Sequence, residues 1–376
     1  MTYSRWVQRL LLRGATVAVC FSTAIASSAP PDLCRDGFVS PYPPVRPAVV
    51  GLPELYECEW APMPVVSLDA QSKYDQDDPN KDQLDAAAAA AFEAEVEDLR
   101  AYQRLLVRAA NESRRNPEQA VSAIECTTNY LLDWVRADAL SDMQSHTAQQ
   151  HRSVYVATMA LAWLQVRDRV LHDSHHQEIS DWLLRRADEI VVYFDGRTDK
   201  VSGQNNHRYW AGLAVAASAQ ITGNCDHYDW GVSTLDLAAG QVTPFGFLPH
   251  ELDRGQRARD YHLYALSPLM MIAMMEHNAG RDPFARNNGA LAHLVEQSIH
   301  SIFDPTLIEE FAGETQIELR GDNGLPRGHQ IAWMELVHRM RPDLLNEIDL
   351  DAIRPLSFSS LGGNLTVLLE HTGGET

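Results

Sequence analysis

The strongest constraint on the fold is a helical spacing of apolar residues that starts at Leu84 and continues almost to the end of the chain. In the first segment, Phe92, Val96, Leu99 and Tyr102 recur at steps of three and four residues, which places them on one face of a helix. The same spacing predicts further helices at residues 120–140, 149–167, 177–192, 206–222, 228–241, 257–278, 289–303 and 330–345.

Short segments with glycine or proline separate these helices, such as Thr222-Gly223 and Pro244 with Gly246. Long helices joined by short connections favour antiparallel helix pairs. We therefore predict an all-α domain over residues 84–376 in which helix pairs form a ring, with an orthogonal bundle as the alternative. No sequence repeat of fixed period emerges, which argues against a regular solenoid.

Two different segments precede the helices. Residues 27–66 are rich in proline, which predicts an extended N-terminal arm rather than a domain. Residues 75–82 are polar and acidic, which predicts an exposed loop. The arm and the loop together span residues 27–83.

The first 26 residues have the pattern of a signal peptide. Arg5, Arg9 and Arg13 form a positive start without acidic residues, and residues 15–26 are apolar or small. This run is too short to cross a bilayer, and Ala24-Ile25-Ala26 fits the small-x-small cleavage rule. We expect a periplasmic or secreted protein with no membrane segment in its mature form.

The net charge restricts the possible partners. It is −20 over the whole chain, and loss of the three signal-peptide arginines makes it more negative. This charge argues against DNA or RNA as the partner, because phosphate binding needs a cationic surface. An acidic polysaccharide is not excluded, because a narrow cleft can be positive inside an acidic body.

The mature chain keeps four cysteines, Cys34, Cys58, Cys126 and Cys225. No CxxC motif and no zinc-finger spacing is present, and export favours a disulfide. We favour Cys58 with Cys126, which ties the arm to a helix, although four cysteines allow three complete pairings. The histidines within residues 172–176 have the setting of a solvated helix start, and we predict no metal and no cofactor.

A polar segment at residues 204–210, QNNHRYW, directly precedes an apolar helix face. Asn205 can cap this helix, and the free N–H groups of a helix start favour a bound carboxylate. Asn206 and Trp210 are four residues apart and can face one ligand. With the His207 imidazole they resemble a sugar site in which the indole stacks on a pyranose ring. A capped helix with Trp210 in the core is the alternative.

A second segment, residues 254–264, leads into an apolar helix. If it is helical, Arg254, Arg257, Tyr261 and Tyr264 form one stripe. Two arginines beside two phenols are unusual on a face that is otherwise core-like, which indicates a functional role. The alternative is a charged surface patch with half-buried tyrosines.

Together the two segments supply the groups for β-elimination from a uronate. Removing the proton next to a carboxylate requires that the carboxylate be neutralised, which Asn206, His207 and Arg254 can do. In β-D-mannuronate, H5 and O4 lie on the same ring face. Tyr261 could therefore serve as base and then acid, or His207 could take H5 while Tyr261 protonates O4. As a base Tyr261 needs a pKa about 3 units below its usual value of about 10, and nearby arginines act in that direction.

Three segments share their pattern with one enzyme family: residues 205–211 (NNHRYWA), 246–254 (GFLPHELDR) and 261–266 (YHLYAL). In register, they resemble the motifs of the mannuronate-type alginate lyases, polysaccharide lyase family 5. Ser72-Lys73-Tyr74 is similar to the N-terminal lysine motif of that family. The resemblance spans nearly the whole mature chain.

The resemblance implies an incomplete α/α toroid as the catalytic domain, with a cleft and a lid-like loop that carries Lys73. It implies cofactor-free cleavage of β-1,4-linked polyuronate, chiefly poly-β-D-mannuronate, to C4–C5 unsaturated ends. The expected catalytic residues are Asn206, His207, Arg254 and Tyr261. The expected substrate-binding residues are Lys73, Tyr74, Trp210, Arg257 and Tyr264.

Arg208, Gly255 and Asp260 depart from the family pattern, and we expect them to touch substrate subsites. Preference for another polyuronate, such as glucuronan or a hyaluronan-like polymer, is therefore an alternative. A helical-toroid glycoside hydrolase would need paired carboxylates across a cleft, for which Glu251 and Asp253 are available. A non-catalytic polyuronate-binding protein is the remaining alternative.

Overall fold

The computed structural model describes residues 34, 37–45, 53–319, 321 and 326–370. The predicted signal peptide, residues 1–26, and parts of the proline-rich arm lie outside the described residues. The strands are β1 (Ser67–Leu68), β2 (Asp142–Met143), β3 (Ser357–Phe358) and β4 (Gly363–Asn364), of which β1 and β2 pair in parallel and β3 and β4 pair antiparallel.

Helices make up most of the described chain. They are α1 (Ala86–Arg115), α2 (Ala120–Arg136), α3 (His146–Val166), α4 (Asp173–Asp195), α5 (Asn206–Thr222), α6 (Cys225–Gln241), α7 (Pro249–Leu252), α8 (Ala258–Asn278), α9 (Ala290–Phe303), α10 (Thr306–Ala312), α11 (Gly328–Ile331), α12 (Trp333–Met340), α13 (Leu350–Ile353) and α14 (Leu365–Leu369). Short 3₁₀ turns lie at Arg167–Arg169, Val201–Gly203, Gly255–Arg257, Pro283–Gly289, Pro342–Leu345 and Ser359–Leu361.

Local signals set the helix bounds. The Asn205 side chain caps α5 by accepting from the His207 N–H, and α5 ends before Gly223, whose φ of +74° lies in the left-handed region that glycine adopts readily. The helix predicted at residues 330–345 is wrong in its continuity. It is interrupted near Ala332, and α12 stops at Met340 because Pro342 follows and cannot donate within a helix.

The long helices form two layers of a ring. In the inner layer, α1 packs on α3, α3 on α5, α5 on α8, and α8 on α12, while α14 joins α12 to α1. In the outer layer, α2 packs on α1, α4 on α3 and α5, α6 on α5, and α9 on α8. This arrangement is the predicted incomplete α/α toroid. None of the described helices is long and apolar enough to cross a membrane.

The inner helices form the core of the toroid. Nearly every residue of α5 and α8 is buried, which agrees with helices that are apolar on all sides. Trp163 in α3 and Trp134 in α2 are also buried, at 0% and 1% exposure. The first turns of α5 and α8 carry one group of polar residues, at one end of the ring, and a second group that includes Glu276 lies at the C-terminal end of α8.

The inner helices α1, α3, α5 and α8 begin at the same end of the ring. The Phe92 ring of α1 lies 5.0 Å from the His151 ring of α3, and Asn206 at the start of α5 binds Glu251, which shortly precedes α8. Helix N-termini carry partial positive charge. This end of the ring is therefore locally favourable for an anion within an acidic chain.

Two disulfides tie the arm to the ring. The structure contains the predicted bond between Cys58 and Cys126 and a second bond between Cys34 and Cys225. Near the first bond, the Tyr130 hydroxyl donates to the Glu59 carbonyl at 2.6 Å. The arm therefore runs along α2 and leads into β1, directly before the segment that reaches the site.

Candidate active site

The four residues predicted as catalytic come from two neighbouring inner helices. Asn206 and His207 begin α5, Tyr261 lies in the first turn of α8, and Arg254 lies in the connection before α8. The Arg254 guanidinium donates to the Tyr261 hydroxyl at 2.8 Å and lies 3.9 Å from the centre of its ring. Because α8 begins at Ala258, the predicted continuous helical stripe is wrong. A turn, rather than a helix, brings Arg254 to Tyr261.

Two of the residues predicted to bind substrate reach the site from the segment before α1. The Tyr74 hydroxyl lies 2.7 Å from the Tyr261 hydroxyl, and the Arg254 guanidinium is 5.0 Å from the Tyr74 ring centre. Lys73 Nζ is 5.6 Å from the same ring, and Arg257 is 5.8 Å from it. Three cationic side chains therefore surround one phenol at the mouth of the site.

Residues 73–84 form an ordered loop, which we call the cover loop. Its ends pair through a bridge between Tyr74 and Leu84. The Asp78 carboxylate accepts backbone N–H bonds from residues 80, 82 and 83 at 3.0, 2.6 and 2.9 Å, which lowers the pKa of Asp78. Lys81 Nζ donates to the carbonyls of Asp75 and Gln76. Asp78, one of the acidic residues of this loop, therefore stabilises the loop through hydrogen bonds to its backbone.

The cover loop lies on the turn that carries the arginines. The Asp82 carboxylate accepts from the Gln256 N–H at 3.3 Å, and the Asp82 carbonyl accepts from Arg257 Nε at 2.6 Å. Arg254 also donates to the Lys81 carbonyl. Asp82, predicted as part of an exposed loop, is buried.

Gly255 explains how the loop can approach so closely. Its φ is +51°, and a Cβ at this position would lie 2.5 Å from Asp82 Oδ2, which is too close for any real contact. The expectation that Gly255 touches a sugar is therefore corrected. Its lack of a side chain makes room for the Asp82 carboxylate.

A buried carboxylate holds the start of α5. Glu251 Oε1 accepts the Asn206 backbone N–H at 2.8 Å, and both Glu251 oxygens lie near Asn206 Nδ2, at 3.2 and 3.0 Å. Asn205 accepts the His207 N–H at 3.1 Å. The predicted open carboxylate site at this helix start is therefore wrong, because Glu251 and Asn205 occupy those N–H groups.

Glu251 also bears on the hydrolase alternative. Its side chain is fully buried and bound to Asn206, whereas the Asp253 side chain is 75% exposed. They do not form a pair of carboxylates that face each other across a cleft. Sequence reasoning named Glu251 only as a carboxylate available to this alternative and missed its contact with Asn206.

The His207 imidazole is held in its neutral form. Burial lowers its pKa to about 3, and His151, Arg254 and His146 add to the effect by opposing a further positive charge. His151 is similarly affected, because burial, Lys73 and Arg100 lower its pKa to about 4. A neutral imidazole has a free lone pair at neutral pH and can act as a base.

The Tyr261 phenol is held in its protonated form. Burial raises its pKa well above the ordinary value, and Tyr74 adds to the rise, while Arg254 opposes it. The net shift in pKa is therefore opposite to the lowering of about 3 units that Tyr261 would need as a base. Arg254 does act as expected, but desolvation of the phenolate outweighs it.

Trp210 lies in the core and not on the surface of a sugar subsite. It is 1% exposed, and its ring packs 5.3 Å from the Tyr264 ring and 5.9 Å from the Phe358 ring. No ring face is left for a pyranose, so the predicted stacking role is corrected. Trp210 instead supports Tyr264, which is partly exposed.

The two other departures from the family pattern differ in placement. Arg208 faces α6, where its guanidinium lies 3.5 Å from the Trp230 ring centre and donates to Thr234 at 2.7 Å, so it does not reach the site. Asp260 lines a cavity of about 230 Å³ beside the cover loop, together with Arg257 and His329. Of the two, only Asp260 is placed where a sugar could contact it.

Sequence reasoning missed the polar start of α3. His146 is hydrogen-bonded to Tyr193 and lies 3.0 Å from Gln150, and both His146 and His151 act on His207. The available signal was the same as in α5, namely polar residues in the first two turns of a helix that is otherwise apolar. Within the described part of the chain, no group of three His, Cys, Asp or Glu side chains could hold a metal ion.

The helical toroid thus brings an amide, an imidazole, an arginine and a tyrosine together at one end of its inner helices. The family model described as Alginate lyase matches residues 69–307. The alginate lyase of Pseudomonas paraeruginosa is 32% identical over 380 residues, which cover 97% of this chain and 98% of that protein. The alginate lyase of Cobetia marina is 32% identical over 321 residues, with coverage of 82% and 83%. The chain therefore belongs to the alginate lyase family, as its motifs predicted.

Solved structures agree on the fold. Alginate lyase A1-III from Sphingomonas species A1 superposes with a TM-score of 0.71 at 24% identity, covering 85% of this chain and 88% of that one. A variant of the same enzyme complexed with a tetrasaccharide superposes with a TM-score of 0.73 at 24% identity, covering 86% and 89%. At this identity the likeness establishes the α/α toroid.

Proposed function

We propose that the protein cleaves alginate by β-elimination, chiefly next to β-D-mannuronate, and leaves C4–C5 unsaturated ends. Family membership supports action on alginate, and the tetrasaccharide bound by the A1-III variant supports an oligosaccharide ligand. The observation that carries the mechanism is the contrast between a neutral imidazole on His207 and a protonated, arginine-bound phenol on Tyr261. These are the states required of a base and an acid.

In the proposed reaction His207 removes H5 of the uronate. The electrons of the C5–H bond form the C4=C5 double bond, the C4–O4 bond breaks, and Tyr261 gives its proton to the leaving O4. His207 then holds one proton more and Tyr261 one fewer, and transfer through solvent restores both. His207 and Tyr261 are the two candidates for removing H5. The directions of their pKa shifts favour His207, because a phenol that stays protonated cannot act as the base.

Arg254 and Asn206 are proposed to neutralise the uronate carboxylate. Within the described residues, Arg254 Nε is buried and has no hydrogen-bond partner, so a substrate carboxylate would satisfy it. Charge that develops beside C5 would then face a fixed guanidinium in a site with little water, where such contacts are strongest. Arg257 and Lys73 are proposed to bind neighbouring uronates.

We also propose that the cover loop acts as a lid. Tyr74 and the Lys81 carbonyl bind the groups of Tyr261 and Arg254 that the reaction uses, so these two contacts have to give way to contacts with substrate. The bonds of Asp82 to Gln256 and Arg257 would keep the rest of the loop docked over the bound polymer. Residues 27–83 would then serve as an arm and lid, and residues 84–376 as the catalytic domain. Periplasmic or secreted placement is supported by the signal-peptide pattern and the two disulfides.

The ultraviolet absorbance of the new double bond tests this function. The panel is poly-mannuronate, poly-guluronate, glucuronan and hyaluronan, and we expect the fastest rise on poly-mannuronate. Tyr261→Phe should lower turnover by about 10²–10⁴-fold. Tyr130→Phe, which removes only the hydroxyl that donates to the arm, should leave turnover unchanged. No rise on any polymer would refute the lyase proposal, and a faster rise on another polymer would refute the mannuronate preference.

A further inference from the structure

Of the two polar atoms in the Asn206 side-chain amide, only the nitrogen has a hydrogen-bond partner among the described residues. Nδ2 is committed to Glu251, which it meets at 3.0 and 3.2 Å. Oδ1 is buried and, among the described residues, has no hydrogen-bond partner. A buried acceptor without a donor is costly, and the donor that a uronate carboxylate requires is the one already bound to Glu251.

We propose that Glu251 sets the orientation of the Asn206 amide, so that Asn206 presents both N–H groups to the uronate only when Glu251 carries a proton. An ionised carboxylate can only accept hydrogen bonds, whereas a protonated one also donates one. After a half turn of the amide, the Glu251 O–H donates to Oδ1 and the other carboxyl oxygen still accepts the Asn206 backbone N–H. Nδ2 is then released to the substrate. Glu251 is a positioning residue, and this role rests on the proposed lyase function.

The half turn is sterically simple, because the oxygen and nitrogen of an amide have nearly the same size. The proton comes from solvent before substrate binds and returns there after product leaves, so no step of the elimination consumes it. The backbone N–H of Asn206 keeps its acceptor in both states. The bond at Glu251 Oε2 exchanges its donor and acceptor, and the longer contact from Nδ2 to Oε1 is given up.

The surroundings of Glu251 allow both protonation states near neutrality. Burial raises its pKa to about 7, against the opposing effects of the Asn206 hydrogen bonds and Arg254, while Asp253 raises it further. On the other side α10 packs through an apolar cluster that includes Ile308. The titratable side chains on which the Glu251 charge acts are Tyr209 of α5 and Tyr261 and Tyr264 of α8, and it raises the pKa of each. The same helices also carry His207, Arg259 and Asp260, and α10 carries Glu309 and Glu310.

The test is the variant Glu251→Gln, whose amide donates to Oδ1 at every pH and so imitates the protonated state. We expect the ratio of its kcat/KM to that of the wild type, on poly-mannuronate, to rise about tenfold per pH unit above pH 7. Effects of other titrating groups cancel in this ratio. A ratio that stays constant from pH 6 to pH 9 overturns the proposal.

Glu335→Gln is the matched control. It makes the same change at a carboxylate that is 3% exposed and bonded to Arg354 and Thr366, and its ratio to wild type should not vary with pH. If the wild type makes no unsaturated product at all, the lyase function fails. If the wild type is active and the Glu251→Gln ratio is flat, only the role of Glu251 fails.

Proton uptake provides a second measurement that does not require Glu251→Gln to fold. Calorimetry in buffers of different ionisation enthalpy counts the protons that Tyr261→Phe takes up when it binds a mannuronate tetrasaccharide. We expect close to one more proton at pH 8 than at pH 5.5, because Glu251 is already protonated at the lower pH. Equal uptake at both pH values overturns the proposal.

Discussion

Replacement of Gly255 by alanine tests whether docking of the cover loop contributes to turnover. The added methyl would lie 2.5 Å from Asp82 Oδ2 and 3.3 Å from Asn80 Nδ2. The Asp82 side chain would have to move, which would disturb two hydrogen bonds, one from the Gln256 N–H to the Asp82 carboxylate and one from Arg257 Nε to the Asp82 carbonyl. The docked position of the loop should therefore become less stable.

The size of the effect follows from these two bonds. Each contributes about 1 kcal/mol, so docking weakens by about 2 kcal/mol, which corresponds to about a 30-fold smaller docking equilibrium constant. We expect kcat/KM on poly-mannuronate to fall by about this factor. Alanine at positive φ costs roughly a further 1 kcal/mol, but it does so whether the loop is docked or not. That part should appear in the free energy of unfolding and not in turnover.

Two controls separate these contributions. Gly223→Ala places the same residue at φ +74°, with nothing within 4 Å of the new Cβ, so it should lower stability by about 1 kcal/mol and leave kcat/KM unchanged. In the double variant Gly255→Ala/Asp82→Ala the carboxylate that clashes is gone. It should be no slower than Asp82→Ala alone, a non-additive result. Fully additive losses, or a Gly255→Ala enzyme with normal kcat/KM, would refute this reasoning.

Three further predictions follow from the pKa values and the disulfides. Because the pKa of His207 is about 3, the acid limb of kcat/KM should lie well below pH 5, and a tenfold loss between pH 6.5 and pH 5.5 would contradict it. The folded state raises the pKa of Glu251 from 4.5 to about 7, so its stabilising contribution is present below pH 4.5 and disappears as pH rises through 7. In denaturant unfolding, the unfolding free energy of Glu251→Gln relative to that of the wild type should therefore rise by roughly 2.5 kcal/mol between pH 5 and pH 8, and an equal difference at both pH values would argue against it. Replacing Cys34 and Cys225 by serine opens a link across 191 residues and should lower the unfolding free energy by about 3–5 kcal/mol with turnover kept; an unchanged denaturation midpoint would contradict this.

The helices were predictable because their periodicity is a local property of the sequence. The bounds predicted for α5 are those of the structure, since Asn205 and Gly223 mark both ends of the helix. The approximate placement of the site was predictable for a related reason. A polar first turn on a helix that is otherwise apolar leaves its polar groups at the end of the buried region.

The partners of the site residues were not predictable, because they depend on distant segments. Glu251 and Asn206 are 45 residues apart, and Asp82 and Gln256 are 174 apart. Nothing local in either sequence segment specifies these contacts. The net pKa shift of Tyr261 was missed for the same reason, because the sequence shows the nearby arginines but not the depth of burial that outweighs them.

The parallel direction of the inner helices divides the connections into two groups. Those that lead from an outer to an inner helix, such as residues 196–205 and 242–257, lie at the site end and carry Asn205, Glu251 and Arg254. Those that lead from an inner to an outer helix, such as residues 116–119, 167–172 and 223–224, lie at the opposite end and carry none of the described site residues. Insertions and changes of length should be tolerated at that end more readily than at the site end. The fold thereby leaves half of its connections free to diverge, or to be engineered, without disturbing the chemistry.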